Sequence, residues 1–111
     1  MALAKRQTET TTDENPKYPE YPHFRRDLLF VIADVGPASG QDVQAEIEAY
    51  YAKEINHGRL YPNLDALVDD GLVEKGEIDD RTNSYELTDA GRQALEERRE
   101  WEAERLPEGD A

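Results

Sequence analysis

The segment Asn56-His57-Gly58-Arg59-Leu60-Tyr61-Pro62-Asn63-Leu64-Asp65-Ala66-Leu67 constrains what this chain can fold into more than any other. Leu60, Leu64, Leu67 and Val68 recur at helical spacing and form one apolar stripe. Asn56 stands where its side-chain oxygen can cap the helix, and Pro62 falls in the opening turn, where proline costs little. Gly71 supplies a left-handed stop. Two strand-like runs follow, Leu72 to Ile78 and Ser84 to Leu87, with the polar turn Asp79-Asp80-Arg81-Thr82-Asn83 between them. Thr88 caps a last helix through Ala90, Ala94, Leu95 and Trp101 to Leu106, which Pro107 ends. A helix, a hairpin and a further helix make the grammar of a winged helix-turn-helix, mainly α with a small β-hairpin. In that fold the second helix of the pair enters the DNA major groove.

Upstream, Phe24, Leu28, Val31, Ile32 and Val35 give a first helix from His23 to Val35, stopped by Gly36-Pro37. Ser39, with Asp42 three residues on, caps a second helix whose buried face is Val43, Ile47, Tyr50 and Tyr51. Residues 1–21 are rich in Thr, Pro and Glu, lack an apolar period, and read as a flexible arm. The expected organisation is this arm, a winged helix-turn-helix over 22–87, a dimerisation helix over 88–106, and a tail over 107–111.

Charge complicates the DNA reading. The 111 residues hold 26 acidic against 13 basic side chains, a net of -13, which ordinarily repels nucleic acid. In molar salt the Debye length falls to about 3 Å, so that repulsion nearly vanishes. The carboxylates are spread over helix faces in short blocks such as Asp69-Asp70 and Asp79-Asp80, a distribution that favours adaptation to a salt-rich cytoplasm over an acidic tail. No apolar run reaches eighteen residues and the N-terminus lacks the layout of a secretion signal, so a cytoplasmic protein without membrane contact is expected. The absence of cysteine excludes disulfides and thiolate chemistry. There is no nucleophile–histidine arrangement and no Gly-rich phosphate loop, and His23 and His57 are far apart in sequence. The expectation is a chain with no catalytic residue, cofactor or metal.

These residues resemble the PadR family of winged-helix transcriptional regulators. The matching pattern is Gly58-Arg59-Leu60-Tyr61-Pro62-Asn63-Leu64 with Leu67, then Gly71-Leu72-Val73, Arg81 in the wing, Tyr85, and Leu87-Thr88 with Gly91; Gly40 also fits. The resemblance covers residues 24–106, and the acid-rich composition is most similar to haloarchaeal members. It implies a homodimer on pseudo-palindromic promoter sites and a part in oxidative-stress gene control. Two departures stand out: a wing with less positive charge than usual, and a single helix after it.

Arg59, in the first turn of the recognition helix, is the leading candidate for base contact, because an arginine fork can bond guanine O6 and N7. The competing reading pairs it with Asp65 or Glu54. Asn63, one turn on, and His57 are further candidates for base contact. Arg25, Arg26, Lys53, Asn56, Tyr61 and Arg81 are candidates for the DNA backbone, with competing roles in ion pairs, capping or ring packing. For Arg81 the competitor is Asp79 or Asp80. Ala90, Ala94, Leu95, Trp101 and Leu106 are expected to bury themselves in a partner subunit rather than in this one. In high salt, cations could bridge surface carboxylates to phosphates. The alternative function is an acidic winged-helix module that binds proteins of the transcription machinery and never touches DNA.

Overall fold

Three short polar side chains set three of the helix starts. Ser39 Oγ accepts from the Asp42 N–H at 3.0 Å, Asn56 Oδ1 from the Arg59 N–H at 2.9 Å, and Thr88 Oγ1 from the Gly91 N–H at 3.0 Å. Each satisfies an otherwise orphaned donor, a contribution of about 1 kcal/mol. The computed structural model describes residues 22–106; the expected arm and tail lie outside the described residues. The elements run α1 (His23–Val35), β1 (Ala38–Ser39), α2 (Gly40–Tyr51), α3 (His57–Asp69), β2 (Val73–Asp79), β3 (Thr82–Leu87) and α4 (Asp89–Arg105).

Helix α3 ends in a two-bond cap. The Gly71 N–H reaches the Val68 carbonyl at 3.0 Å and the Leu72 N–H reaches the Leu67 carbonyl at 3.1 Å, with Gly71 at φ 81°. Pro62 is deeper in the helix than the sequence reading placed it. It is the sixth helical residue, so its missing N–H leaves the Gly58 carbonyl without a helical partner. Between α2 and α3 the chain is braced by Glu48 and Gln44. The Glu48 carboxylate accepts from the Ile55 N–H at 2.9 Å and Gln44 Nε2 donates to the Ile55 carbonyl at 2.7 Å.

The sheet is antiparallel in the order β1-β3-β2. Strand β1 was not foreseen, because two residues after Gly36-Pro37 carry no periodicity to read. It pairs Ala38 with Tyr85, which puts β3 in the middle and buries the Tyr85 ring. The hairpin pairs Val73 with Leu87 and Gly76 with Ser84, and it continues to Asp79 opposite Thr82. The turn is therefore shorter than expected, only Asp80 and Arg81. Beyond Val73, strand β2 is exposed along its length.

One core joins α1 (Phe24, Leu28, Leu29, Ile32), α2 (Val43, Ile47), Ile55, the α3 stripe Leu60, Leu64 and Leu67, the hairpin base and Leu95. Each fully buried aliphatic side chain contributes roughly 1.5–3 kcal/mol. Two expectations are corrected. Tyr50 is 75% exposed, because α2 turns that position outward, so only Tyr51 packs. Leu95 lies in the chain's own core, because α4 is drawn against the hairpin base. A Cβ at Gly91 would overlap the Leu72 carbonyl, and the Thr88 N–H bonds that same carbonyl at 3.1 Å. Only glycine permits that approach.

Candidate nucleic-acid interface

With Leu60, Leu64 and Leu67 turned inward, the helical period turns Gly58, Pro62, Asp65 and Asp69 outward, and all four are exposed. His57 and Tyr61 lie along one flank of this face, Arg59 and Asn63 along the other. The outer face is therefore small and smooth over its first two turns and acidic beyond them. Asp65 is paired with Lys75 of β2, Nζ to Oδ1 3.8 Å, with both side chains well exposed.

On the Arg59 flank the structure joins three candidates. Arg25 Nε donates to Asn63 Oδ1 at 2.8 Å, and Asn63 Nδ2 donates to the Arg59 carbonyl at 2.7 Å. These bonds hold half of the Asn63 amide's capacity and fix its orientation. The Arg59 guanidinium does not project straight outward, nor does it pair with Asp65 or Glu54. It lies over the Phe24 ring, 4.0 Å from the centroid, with Tyr51 at 5.9 Å. Tyr51 meets Phe24 edge to face at 5.8 Å, and its hydroxyl donates to Asp27 Oδ2 at 2.8 Å. Burial, with the Asp27 hydrogen bond and charge next, pushes the Tyr51 phenol up to about 12.

The other flank opens on the wing. Ser39, Gly40, Gln41, Tyr61, Arg81, Thr82, Asn83 and Tyr85 line a polar groove of about 180 Å³. Two backbone candidates, Tyr61 and Arg81, thus face one space. Tyr61 can lie there because Gly40 has no side chain: a Cβ at Gly40 would come within 2.7 Å of the ring at Cε1. His57 stands edge to face with Tyr61 at 5.4 Å. At the wing tip Asp79 accepts from the backbone N–H of Arg81 at 2.9 Å, not from its guanidinium. That bond and the Thr82 hydroxyl hold the Asp79 carboxyl below its usual range.

The remaining candidates stand apart. Lys53 is exposed in the α2–α3 connection, with its backbone N–H on the Glu48 carbonyl at 3.3 Å. Arg26 is half-buried on α1, and the Asn56 side chain is committed at its oxygen to the cap. On α4, Ala90 is exposed, Ala94 packs beside the core, and Trp101 and Leu106 are 47% and 80% exposed. Trp101 is flanked by the guanidiniums of Arg98 and Arg105, 4.5 and 4.4 Å from its ring. Sequence reasoning missed the aromatic bed under Arg59. Phe24 and Tyr51 were legible only as apolar positions, and nothing in their spacing points at Arg59.

Helices α2 and α3, the hairpin wing and the exposed first turns of α3 define a winged-helix domain. The family model for PadR-like transcriptional regulators matches residues 28–97, and the chain belongs to that family. This makes it a DNA-binding transcriptional regulator rather than an enzyme. Among solved structures it is similar to RosR of H. salinarum grown from NaBr, 43% identical over 83% of this chain and 82% of that one, TM-score 0.77. It is also similar to the complex structure RosR-S1, 42% identical over 83% and 82% of the two chains, TM-score 0.78. A more distant likeness is F93 from STIV, described as a winged-helix DNA-binding protein, 26% identical over 76% and 92%, TM-score 0.62. No curated protein matches the chain. Among the described residues no helix is long and apolar enough to cross a membrane, and no group of three or more His, Asp or Glu side chains could hold a metal ion.

Proposed function

We propose that the chain acts in a salt-rich cytoplasm as a homodimer that reads pseudo-palindromic promoter sites, with oxidative-stress genes among its targets. The observation that carries this reading is Arg59. It stands in the first turn of α3 with its guanidinium engaged by ring faces and by no hydrogen bond or ion pair among the described residues. Such a fork retains its in-plane donors for a base edge. Asn63 and His57 extend base reading on either flank. Arg25, Arg26, Lys53, Asn56, Tyr61 and Arg81 hold the backbone, Tyr61 and Arg81 from their shared groove. Ala90, Ala94, Trp101 and Leu106 form the subunit contact, with Leu95 reassigned to the core beneath it. The likeness to H. salinarum RosR at 42–44% identity supports the regulatory role. The stress targets and the halophilic setting rest on the resemblance to haloarchaeal members and on the acidic composition.

Asp65 and Asp69 bear on the mode of binding, because they point out of the face that must approach DNA. In molar salt, counterion release supplies little drive. At contact distance, inside the screening length, these carboxylates would still repel a phosphate, Asp65 only partly offset by its exposed pairing with Lys75. Cations bridging Asp65 and Asp69 to phosphates resolve both problems and predict binding that holds or strengthens as KCl rises.

The test is selection of genomic fragments by the purified protein at roughly 0.2 and 2 M KCl, a range over which charge-driven binding collapses, with Arg59→Ala in parallel. Enrichment of a shared palindrome at the higher salt, lost in Arg59→Ala, is expected. Enrichment at neither salt would overturn the reading.

A further inference from the structure

The ring beneath Arg59 is unusually well held. Phe24 is 3% exposed, part of the core on its inner side, and Tyr51 meets it at 5.8 Å. Tyr51 is in turn fixed by its hydrogen bond to Asp27 at 2.8 Å and by His23, which stacks on it at 6.2 Å. Below the guanidinium there is thus a rigid aromatic bed. Around its edge there is no partner: among the described residues no hydrogen bond or ion pair engages it. No buried side-chain nitrogen of the described residues lacks a partner either, so the Arg59 N–H groups reach solvent. The backbone side is equally settled, since Asn56 caps the Arg59 N–H and Asn63 bonds the Arg59 carbonyl.

A free arginine side chain loses rotamer freedom when it binds, which weakens the contact. A guanidinium already resting over a ring avoids part of that loss, and its donors have no hydrogen-bond partner among the described residues. We propose that Phe24, held by Tyr51, is a specificity-determining positioning residue that presents the donor edge of Arg59 to a guanine in the major groove. This rests on the reading of Arg59 as a base contact.

The test uses the fragment most enriched by the full-length wild-type protein and a random-sequence duplex of the same length. Phe24→Leu keeps an apolar side chain in the core but removes the ring face. It is expected to lower the preference for the selected fragment roughly three- to tenfold, the scale of a cation–π contact, while leaving random-duplex binding unchanged. Added to Arg59→Ala, it should lower the preference no further. Arg59→Lys keeps the charge without the flat fork and should lower the preference at least as far as Phe24→Leu, without touching the core. In the free wild-type protein the Arg59 side-chain protons should be shifted upfield by ring current, a readout independent of DNA. Equal loss of selected and random binding in Phe24→Leu, full additivity with Arg59→Ala, or unshifted Arg59 protons would each overturn the positioning role while leaving the DNA-reading function standing. A wild-type protein that selects no sequence would overturn both.

Discussion

The Thr88 hydroxyl donates to the Gly71 carbonyl at 2.7 Å and accepts from the Gly91 N–H at 3.0 Å, so one side chain ties the end of α3 to the start of α4. The recognition helix and the last helix are thereby held in a fixed relation across the hairpin. Thr88→Val keeps the branched shape and removes both bonds. A lost cap and a lost hydrogen bond each cost about 1 kcal/mol, so the variant should melt lower by roughly 4–8 °C for each kcal/mol lost in a domain of this size. Calorimetry at constant high salt measures it; an unchanged melting temperature would show the hydroxyl to be idle.

Two glycines beside that tie should respond differently. Gly91→Ala drives a Cβ into the Leu72 backbone, which cannot turn aside as a side chain can, and overpacking of this kind costs about 1–3 kcal/mol. At Gly71 nothing lies within 4 Å of a Cβ; only φ 81° resists a side chain. Gly71→Asn, whose short amide tolerates the left-handed region, should therefore be milder than Gly71→Ala, and both milder than Gly91→Ala. Denaturant midpoints of the three variants rank them.

Tyr51 makes a pH prediction. Its phenol is pushed up to about 12 in the folded chain by burial and by the hydrogen bond to Asp27, against about 10 when unfolded. The folded state favours the protonated, neutral ring. Its stabilisation is thus fully present below about pH 10 and is lost as pH rises from there toward 12. Burial also raises the Tyr85 phenol, so ultraviolet titration of the six tyrosines should show late phenolate ionisation of which one tyrosine's share is lost in Tyr51→Phe. The same variant should flatten the alkaline limb of the stability profile.

Arg81 and Arg59 should separate affinity from specificity. Arg81 stands at the wing tip with its backbone tied to Asp79 and its side chain facing the groove shared with Tyr61. A phosphate contact there predicts that Arg81→Ala weakens binding to all sequences alike and lowers the salt slope by about 1, measured where salt is low enough for a slope to exist. Arg59→Ala instead should relax the preference among sequences, by about 1–3 kcal/mol at the base it reads. Loss of preference in Arg81→Ala would place the wing among the base readers.

The contrast between Leu60 and Arg59 shows what sequence can disclose. Leu60 belongs to a stripe whose period alone sends it inward, and Asn56, Ser39 and Thr88 announce helix starts because capping is a local interaction between residues three apart. Local chemistry also foretells Gly71. Arg59 lies on a flank, where the helical period does not decide direction; Phe24, thirty-five residues earlier, does, through a contact made only once α1 and α3 are packed. The same holds for Tyr50 and Tyr51, adjacent aromatics on one helix. Asp27 and Phe24 claim one and leave the other in water. Strand β1 escaped for a different reason. Two residues carry no period, and only the exposed edge of β3 recruits them.

The two halves of α4 predict separable effects on stability and association. Gly91 and Leu95 are buried in the chain's own core, whereas Trp101 and Leu106 are left 47% and 80% exposed on a helix that has passed the end of that core. Leu95→Ala should therefore act on folding, at about 2–5 kcal/mol for a buried leucine. Trp101→Ala with Leu106→Ser removes apolar surface that the isolated chain leaves about half open or more, along with the Arg98 and Arg105 contacts to the ring. Its stability should therefore fall by no more than about 1–2 kcal/mol under conditions where both are monomeric. Its self-association should weaken instead, by roughly thirtyfold if Trp101 is an interface anchor of about 2 kcal/mol. Sedimentation equilibrium in high salt reads that constant directly. An unchanged dimer would remove Trp101 and Leu106 from the interface and direct attention to the groove of about 180 Å³ that exposed Phe30 of α1 borders with Arg92, Glu96 and Arg99 of α4.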